Sequence, residues 1–547
     1  MHYNDFHARF EETSPAGNMC NPDHLPCIGG FARLATAVRN GFKKEPDSLL
    51  LNGGDSFQGT IWYNMLRWNV TQEFMNMLPH DAHVLGNHEF DNGIEGVVPY
   101  LEYLNSTVVA ANIDDTDEPK MHGLYKNSTI ITRGGRKIGI IGVIISITNT
   151  LATTGNLRFK DEVETVKAEA EKLNAEGVNI IIVLSHCGID IDREIALHAG
   201  PYIDIIVGGH SHTLLFNGEV PENTAFVPLG PYPVVVNRSS TQKPVLIVQA
   251  GAHTAYLGEI KLFFDFAGNL LDWTGNPHFL GNDIEQAPDV LERIEYYLPL
   301  IQELASEVIG VSMVDMSNDC SCSECNLGNF ICDAYMHSVL HRAQNNSWHS
   351  AHFCVVNRGG IRSPITHGVV NFGSVMLSTP FENRIEVFDL KGKHVLEMLE
   401  YSVANIPSAG ARMLQTSGLH ATFDGSLPVN QRVLDVRVRC IECDVPRYEP
   451  LDLDKYYRVV AQSFIGSGGD GFTNAMYEPL LLDKYYRVVT TDFIGNGGGE
   501  FTMISENRIN VDVTGVDYEV LMDYIRHQTP VFAQTEGRVQ ISNPCLV

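Results

Sequence analysis

The sequence predicts an α/β fold class, with a layered N-terminal domain, a connecting helix and a second α/β domain, and three observations carry that expectation. The chain has 547 residues, more than one hydrophobic core usually organises. Over roughly the first 280 residues, an apolar, β-branched run repeatedly leads into a short loop rich in Gly, Asp and His and then into helical periodicity. At 285–305, Glu285-Gln286-Ala287-Pro288 opens an amphipathic helical stretch.

The elements follow in order. Leu49-Leu50-Leu51 runs into Asn52-Gly53-Gly54-Asp55. The longest apolar run, Ile138 to Ile147, is too short to cross a bilayer and reads as a buried strand. Ile180 to Leu184 ends in Ser185-His186, and Ile203 to Val207 in Gly208-Gly209-His210-Ser211-His212. Strands alternating with helices imply a sheet covered on both faces, whose ligands bind beyond the carboxyl ends of the strands. Those ends carry Asp5, His7, Asp55, Asn87, His88, His186, His210 and His212. Oxygen donors mixed with imidazoles suit Zn, Mn or Fe better than Ca or Mg alone. His83 and His253 read as structural histidines. In Gly86-Asn87-His88-Glu89-Phe90-Asp91, a helical turn would let Asp91 hold the His88 ring through Nδ1-H and leave the other nitrogen to face a substrate.

Composition narrows the class. A net charge of −28 repels nucleic-acid polymers and anionic membranes, so positive charge for an anionic substrate must be local, from metal ions or a few arginines. Five Asn-x-Ser/Thr acceptors occur, at Asn69, Asn105, Asn127, Asn237 and Asn345. The eleven cysteines include the pairs Cys20/Cys27, Cys320/Cys325, Cys440/Cys443 and Cys332/Cys354, read as disulfides of an oxidising compartment. The competing reading, a zinc ribbon at Cys320, Cys322, Cys325 and Cys332, lacks a second CxxC at ribbon spacing. Gly466-Ser467-Gly468-Gly469-Asp470-Gly471 fits GxGxxG without the helix and downstream acid of a dinucleotide site, and is rejected as one. Residues 448–476 and 477–505 are a tandem repeat, in which Tyr448-Glu449-Pro450 recurs as Tyr477-Glu478-Pro479. Two units are too few for a solenoid, which leaves a local duplication or an error of sequence.

Asn4-Asp5-Phe6-His7, Gly53-Gly54-Asp55, Gly86-Asn87-His88-Glu89-Phe90-Asp91 and Gly208-Gly209-His210-Ser211-His212, in this order, resemble the calcineurin-like metallophosphoesterase domain of the 5'-nucleotidase/apyrase family. The resemblance implies two divalent ions, zinc first, with manganese or calcium as alternatives. It implies that Asp5, His7, Asp55 and His212 hold one ion, that Asp55 bridges to a second held with Asn87, His186 and His210, and that His88 and Asp91 form a catalytic dyad. The domains it implies are 1–284, catalytic; 285–305, a linker helix; and 306–547, for nucleotide recognition.

Within that last part the family's recognition motifs are resembled by Asn326-Leu327-Gly328-Asn329, Asn357-Arg358-Gly359-Gly360-Ile361-Arg362 and Pro380-Phe381-Glu382-Asn383. Arg362 would meet phosphate, and Phe381 would sandwich a purine with a second Phe from one repeat copy, Phe472 or Phe501. Ser321 stands where vertebrate members carry a phosphate-contacting Arg, and Arg358 where they carry Gly. Only Met1, His2 and Tyr3 precede the first motif, so a signal peptide and most of strand one are expected upstream. Ser542 to Val547 is not the apolar tail of a GPI signal. Secretion, as in the salivary apyrases of blood-feeding arthropods, is the expectation, with ATP and ADP as substrates. A 5'-nucleotidase acting on AMP is the second reading, and a platelet-receptor-binding protein without Arg-Gly-Asp the third.

Overall fold

The structure, a computed structural model, describes the chain except 16–19, 21–25, 239–242, 341–346, 405, 407–411, 463–464, 466–508 and 544–547. The chain divides into two compact units, Met1–Ile301 and Gln302–Val547, with the cut falling inside the helix Pro288–Ala305.

The first unit is α/β, as the sequence predicts, and holds two six-stranded sheets. One orders its strands Leu270–Phe279, Tyr256–Phe264, His2–Tyr3, Leu51–Asn52, Ala82–Val84 and Thr107–Val109. The other runs Val234–Asn237, Pro244–Val248, Ile205–Val207, Ile181–His186, Arg136–Ile144 and Ser128–Arg133. In each, four neighbouring strands are parallel, with antiparallel strands added at the margins. Parallel strands buried on both faces explain the continuous apolar runs: Ile181–His186 is buried at every position. Ala82–Val84 packs against both Arg136–Ile144 and Ile181–His186, bringing the sheets together. Asn112 stitches them, with Nδ2 donating to Ile144 O at 2.6 Å and Oδ1 accepting from Ile144 N at 3.0 Å. Because the central strands are parallel, their carboxyl ends open on one edge, where the loops gather.

The second unit centres on a five-stranded sheet, ordered Leu414–Ser417, Phe353–Asn357, Tyr456–Gln462, Arg384–Lys391 and Ile509–Val516. Along Phe353–Asn357, Phe353 and Val355 enter one apolar core while Cys354 and Val356 enter another, so both faces are buried. Helices Asn326–Ser338 and Asp517–Gln528 supply side chains to the Cys354 face, and Gly392–Ser402 to the other.

Cys20–Cys27, Cys320–Cys325 and Cys440–Cys443 are disulfides, and Cys322 is also disulfide-bonded, which excludes the ribbon. Cys332 and Cys354, expected as a fourth pair, are thiols instead. Their sulfurs stand 3.0 Å apart, beyond a bond of about 2.05 Å, and the Cys332 thiol points to Gln415 O. Among the described residues no helix is long and apolar enough to cross a membrane.

Candidate active site

Each donor follows the carboxyl end of a parallel strand. Asp5 and His7 come after His2–Tyr3, Asp55 after Leu51–Asn52, and Asn87 and His88 after Ala82–Val84; His186 ends its strand, and His210 and His212 follow Ile205–Val207. The loops are tightly wound. Asp5, His7, Asp55, His210 and His212 all have φ between 50 and 72°, in the left-handed region that costs a side-chain-bearing residue roughly 1–3 kcal/mol each and persists where surroundings over-determine it.

What over-determines them is a hydrogen-bond frame. Asn4 Nδ2 donates to Asp5 Oδ2 at 2.6 Å, and His210 N donates to the same carboxylate at 3.1 Å. Asp5 N and His7 N donate to Gly54 O and Asp55 O, tying the first loop to the second. Fully buried Glu89 ties the second to the third: its carboxylate accepts the backbone N–H of Gly86 at 2.5 Å, Asp55 at 3.0 Å, Ser56 at 2.6 Å and Phe57 at 3.1 Å. Gly86 has to be glycine, since a Cβ there would lie 2.1 Å from Asp55 Oδ1.

Inside this frame the donors converge in two groups that share Asp55. His7 Nε2 is 3.8 Å from Asp55 Oδ2, 4.0 Å from Asp5 Oδ1 and 3.0 Å from His212 Nε2, which is itself 3.3 Å from Asp5 Oδ1. On the other side His186 Nε2 is 3.1 Å from Asp55 Oδ2, and ligand atoms of Asp55, His186 and His210 all lie within 4.8 Å of one another. Asn87 Oδ1 joins this side, 2.9 Å from His210 Nδ1. The residues fit divalent ions. His186 is wholly buried with Nδ1 bonded to Gly53 O, yet its Nε2 makes no hydrogen bond despite a carboxylate at 3.1 Å, the geometry of two donors aimed at a common cation.

The electrostatics agree. Burial alone would raise the Asp55 carboxyl, but His186, His88 and His7 outweigh it and hold it well below the usual carboxylate range. Burial would lower His186, yet Asp55, then Asp5 and the Gly53 carbonyl, push it up to about 10. Desolvation and the neighbouring His186 charge bring His210 down to about 4. A cation would take over the role of the His186 proton.

His88 sits at the rim in a 3-10 turn, Asn87–Phe90. Its Nδ1 is 2.7 Å from Asp91 Oδ2, and its backbone N donates to Asp55 Oδ1 at 3.0 Å. Glu89 and His253 carried no functional role in the sequence. A signal for Glu89 existed, a Glu three residues after Gly86 in capping-box spacing; for His253 there was none.

In the second unit, Asn357 ends its strand and Arg358–Gly360 forms a 3-10 turn. Arg362 N donates to Ser378 O at 2.9 Å, and the Arg362 guanidinium lies over the half-buried Phe381 ring, 5.5 Å from its centroid. Arg358 is half-buried; desolvation lowers its pKa against the pull of Asp319, and its Nε is buried with no hydrogen-bond partner among the described residues. Phe472 and Phe501 lie outside the described residues.

Residues 1–214 match the calcineurin-like phosphoesterase family and 308–477 the 5'-nucleotidase C-terminal domain. An apyrase of Tabanus yao is 41% identical over 99% of this chain and 93% of that protein. A 5'-nucleotidase of Bos taurus is 36% identical over 99% of this chain and 90% of that one. The crystal structure of a 5'-nucleotidase precursor from Thermus thermophilus superimposes with a TM-score of 0.83 at 32% identity, over 99% of this chain and 98% of that chain.

Proposed function

Since the chain belongs to the 5'-nucleotidase and apyrase family and is a metal-dependent nucleotide phosphohydrolase, we propose that it works outside the cell as an apyrase, taking ATP and ADP to AMP and phosphate. The observation that carries the substrate choice is Arg358, a half-buried guanidinium whose Nε lacks a partner among the described residues, four positions before Arg362. A desolvated cation of this kind favours the additional phosphate of ADP and ATP, through contacts about twice as strong as neutral hydrogen bonds.

Asp5, His7, Asp55 and His212 would hold one ion, and Asp55, Asn87, His186 and His210 the other. When bound, two such ions supply Lewis acidity that activates water and neutralises phosphoryl charge. The protein's own part is to fix that geometry and to manage protons. Asp91 holds His88 through Nδ1, so that Nε2 is the edge that stabilises the phosphoryl group and passes a proton to the leaving oxygen. Arg362 receives a phosphate, and Phe381 stacks on the base together with one of Phe472 and Phe501; Phe472 is favoured because Glu500 would place a carboxylate beside the ring. Three disulfides, a bonded Cys322 and exposed sequon residues Asn69, Asn105, Asn127 and Asn237 support secretion and glycosylation. Removal of ATP and ADP would suppress platelet activation.

The second reading, a 5'-nucleotidase converting AMP to adenosine, is favoured by the similarity to the Bos taurus and Thermus thermophilus proteins. Chromatography of products from ATP after exhaustive digestion separates the two: accumulation of AMP is expected, and complete conversion to adenosine would establish the second.

A further inference from the structure

His253 belongs to none of the motifs of the site, yet the fold delivers it there. It follows the parallel strand Pro244–Val248, on a turn that Asn4 clips to the first loop, with Oδ1 accepting from Ala250 N at 3.1 Å and Nδ2 donating to Gly251 O at 2.6 Å. His253 N donates to Asp5 O at 2.9 Å. His253 and Thr254 have φ of 59 and 58°, the same left-handed backbone as Asp5, His7, Asp55 and His212. On the far side Gly30 N donates to Thr254 Oγ1 at 2.7 Å, so the strained turn is held from both directions.

The imidazole stands beside two others, with ring centroids 5.6 Å from His7 and 5.4 Å from His212. One ring nitrogen from each of the three lies within 4.8 Å of the others. Three imidazoles gathered next to Asp5 and Asp55 repel if protonated, and if neutral their facing lone pairs compete for too few protons. A cation among them satisfies all three at once.

We propose that His253 is a further ligand of the ion that Asp5, His7, Asp55 and His212 would hold; the inference rests on the two-metal reading of the site. That ion then has three imidazoles around it and the other has two, His186 and His210. An added imidazole moves the first site towards zinc and its late-transition neighbours and away from manganese and calcium.

The test uses the full-length chain stripped of metal and titrated with Zn²⁺ against a chromogenic chelator, in wild type, His253→Phe and His253→Gln. Cobalt-loaded samples are read in the visible region. Two ions per wild-type chain are expected, and in both variants one ion should weaken by about tenfold or more while the other keeps its affinity. The cobalt bands should shift, and the preference for Zn²⁺ over Mn²⁺ should narrow. Equal metal-free thermal midpoints in wild type and His253→Gln separate a lost ligand from a lost fold. Unchanged affinity at both sites with an unchanged cobalt spectrum overturns the proposal, and so does loss of both ions together, because His253 reaches only one. A wild-type chain that binds a single ion instead removes the two-metal reading and the proposal with it.

Discussion

His88 Nδ1 is 2.7 Å from Asp91 Oδ2, a tie that commits the ring to a proton-handling pair even though a ligand atom of His88 lies within 4.8 Å of ligand atoms of His7 and Asp55. His88→Ala is therefore expected to keep the metal content of the wild type and to lower kcat by about 10² to 10⁴, the usual range for a positioned acid or base. Asp91→Asn should fall between, since the ring remains but its orientation and tautomer do not. Metal analysis alongside steady-state kinetics checks both; wild-type turnover in His88→Ala would remove it from the reaction.

Asp55 contributes to both donor groups, so Asp55→Ala should disable both ions at once, whereas His186→Ala should weaken one. Metal counting in the purified variants decides it. Retention of one tightly held ion in Asp55→Ala would show that the carboxylate does not bridge.

Glu89 accepts four backbone N–H groups, two on each oxygen. In Glu89→Gln the amide nitrogen would face two donors it cannot accept from, at a cost of about 2–4 kcal/mol. The thermal midpoint should drop, and both ions should weaken because the Asp55 and Asn87 loops lose their common anchor. An unchanged midpoint would show that the frame does not depend on the carboxylate.

Asp192 is wholly buried beneath the Gly208 loop, with Oδ1 accepting from Ser185 Oγ at 2.5 Å and Oδ2 without a hydrogen bond. Burial pushes its carboxyl up to about 7 from an ordinary 3.8, against the Ser185 hydroxyl and His186. The folded state thus binds more protons than the unfolded one between these values, and this group's contribution to stability falls as pH rises through that window. Asp192→Asn mimics the protonated form, so its stability advantage should grow from pH 4 to pH 8 by a few kcal/mol at most, at about 1.4 kcal/mol per unit. Parallel melting curves for wild type and variant at any pH would contradict this.

Much of the site is legible in the sequence because parallel strands send their carboxyl ends to one edge, and Asp55, Asn87, His186 and His210 end apolar runs or follow them within four residues. The layered α/β character is legible for the same reason, in runs such as Ile181–His186 that are buried throughout, whereas the division of the strands into two six-stranded sheets is not. Contacts over long sequence separation are not. His253 reaches Asp5 through a backbone hydrogen bond across 248 positions, which no local spacing encodes. Glu89 looks like a helix cap until the loop carrying Asp55 is folded over it. Cys332 and Cys354 read as one more pair, but sequence spacing does not specify the separation of two sulfurs.

Arg358→Gly removes the half-buried cation proposed to meet the extra phosphate, and is expected to narrow the rate advantage of ADP over AMP without changing metal content. A variant with the wild-type ratio would leave Arg358 with no part in substrate choice.

The most direct measurement is the initial rate of phosphate release from ATP, ADP and AMP by the metal-loaded chain under identical conditions. Faster release from ATP and ADP than from AMP is the expected result. A clear preference for AMP would contradict the apyrase reading and make the protein a 5'-nucleotidase.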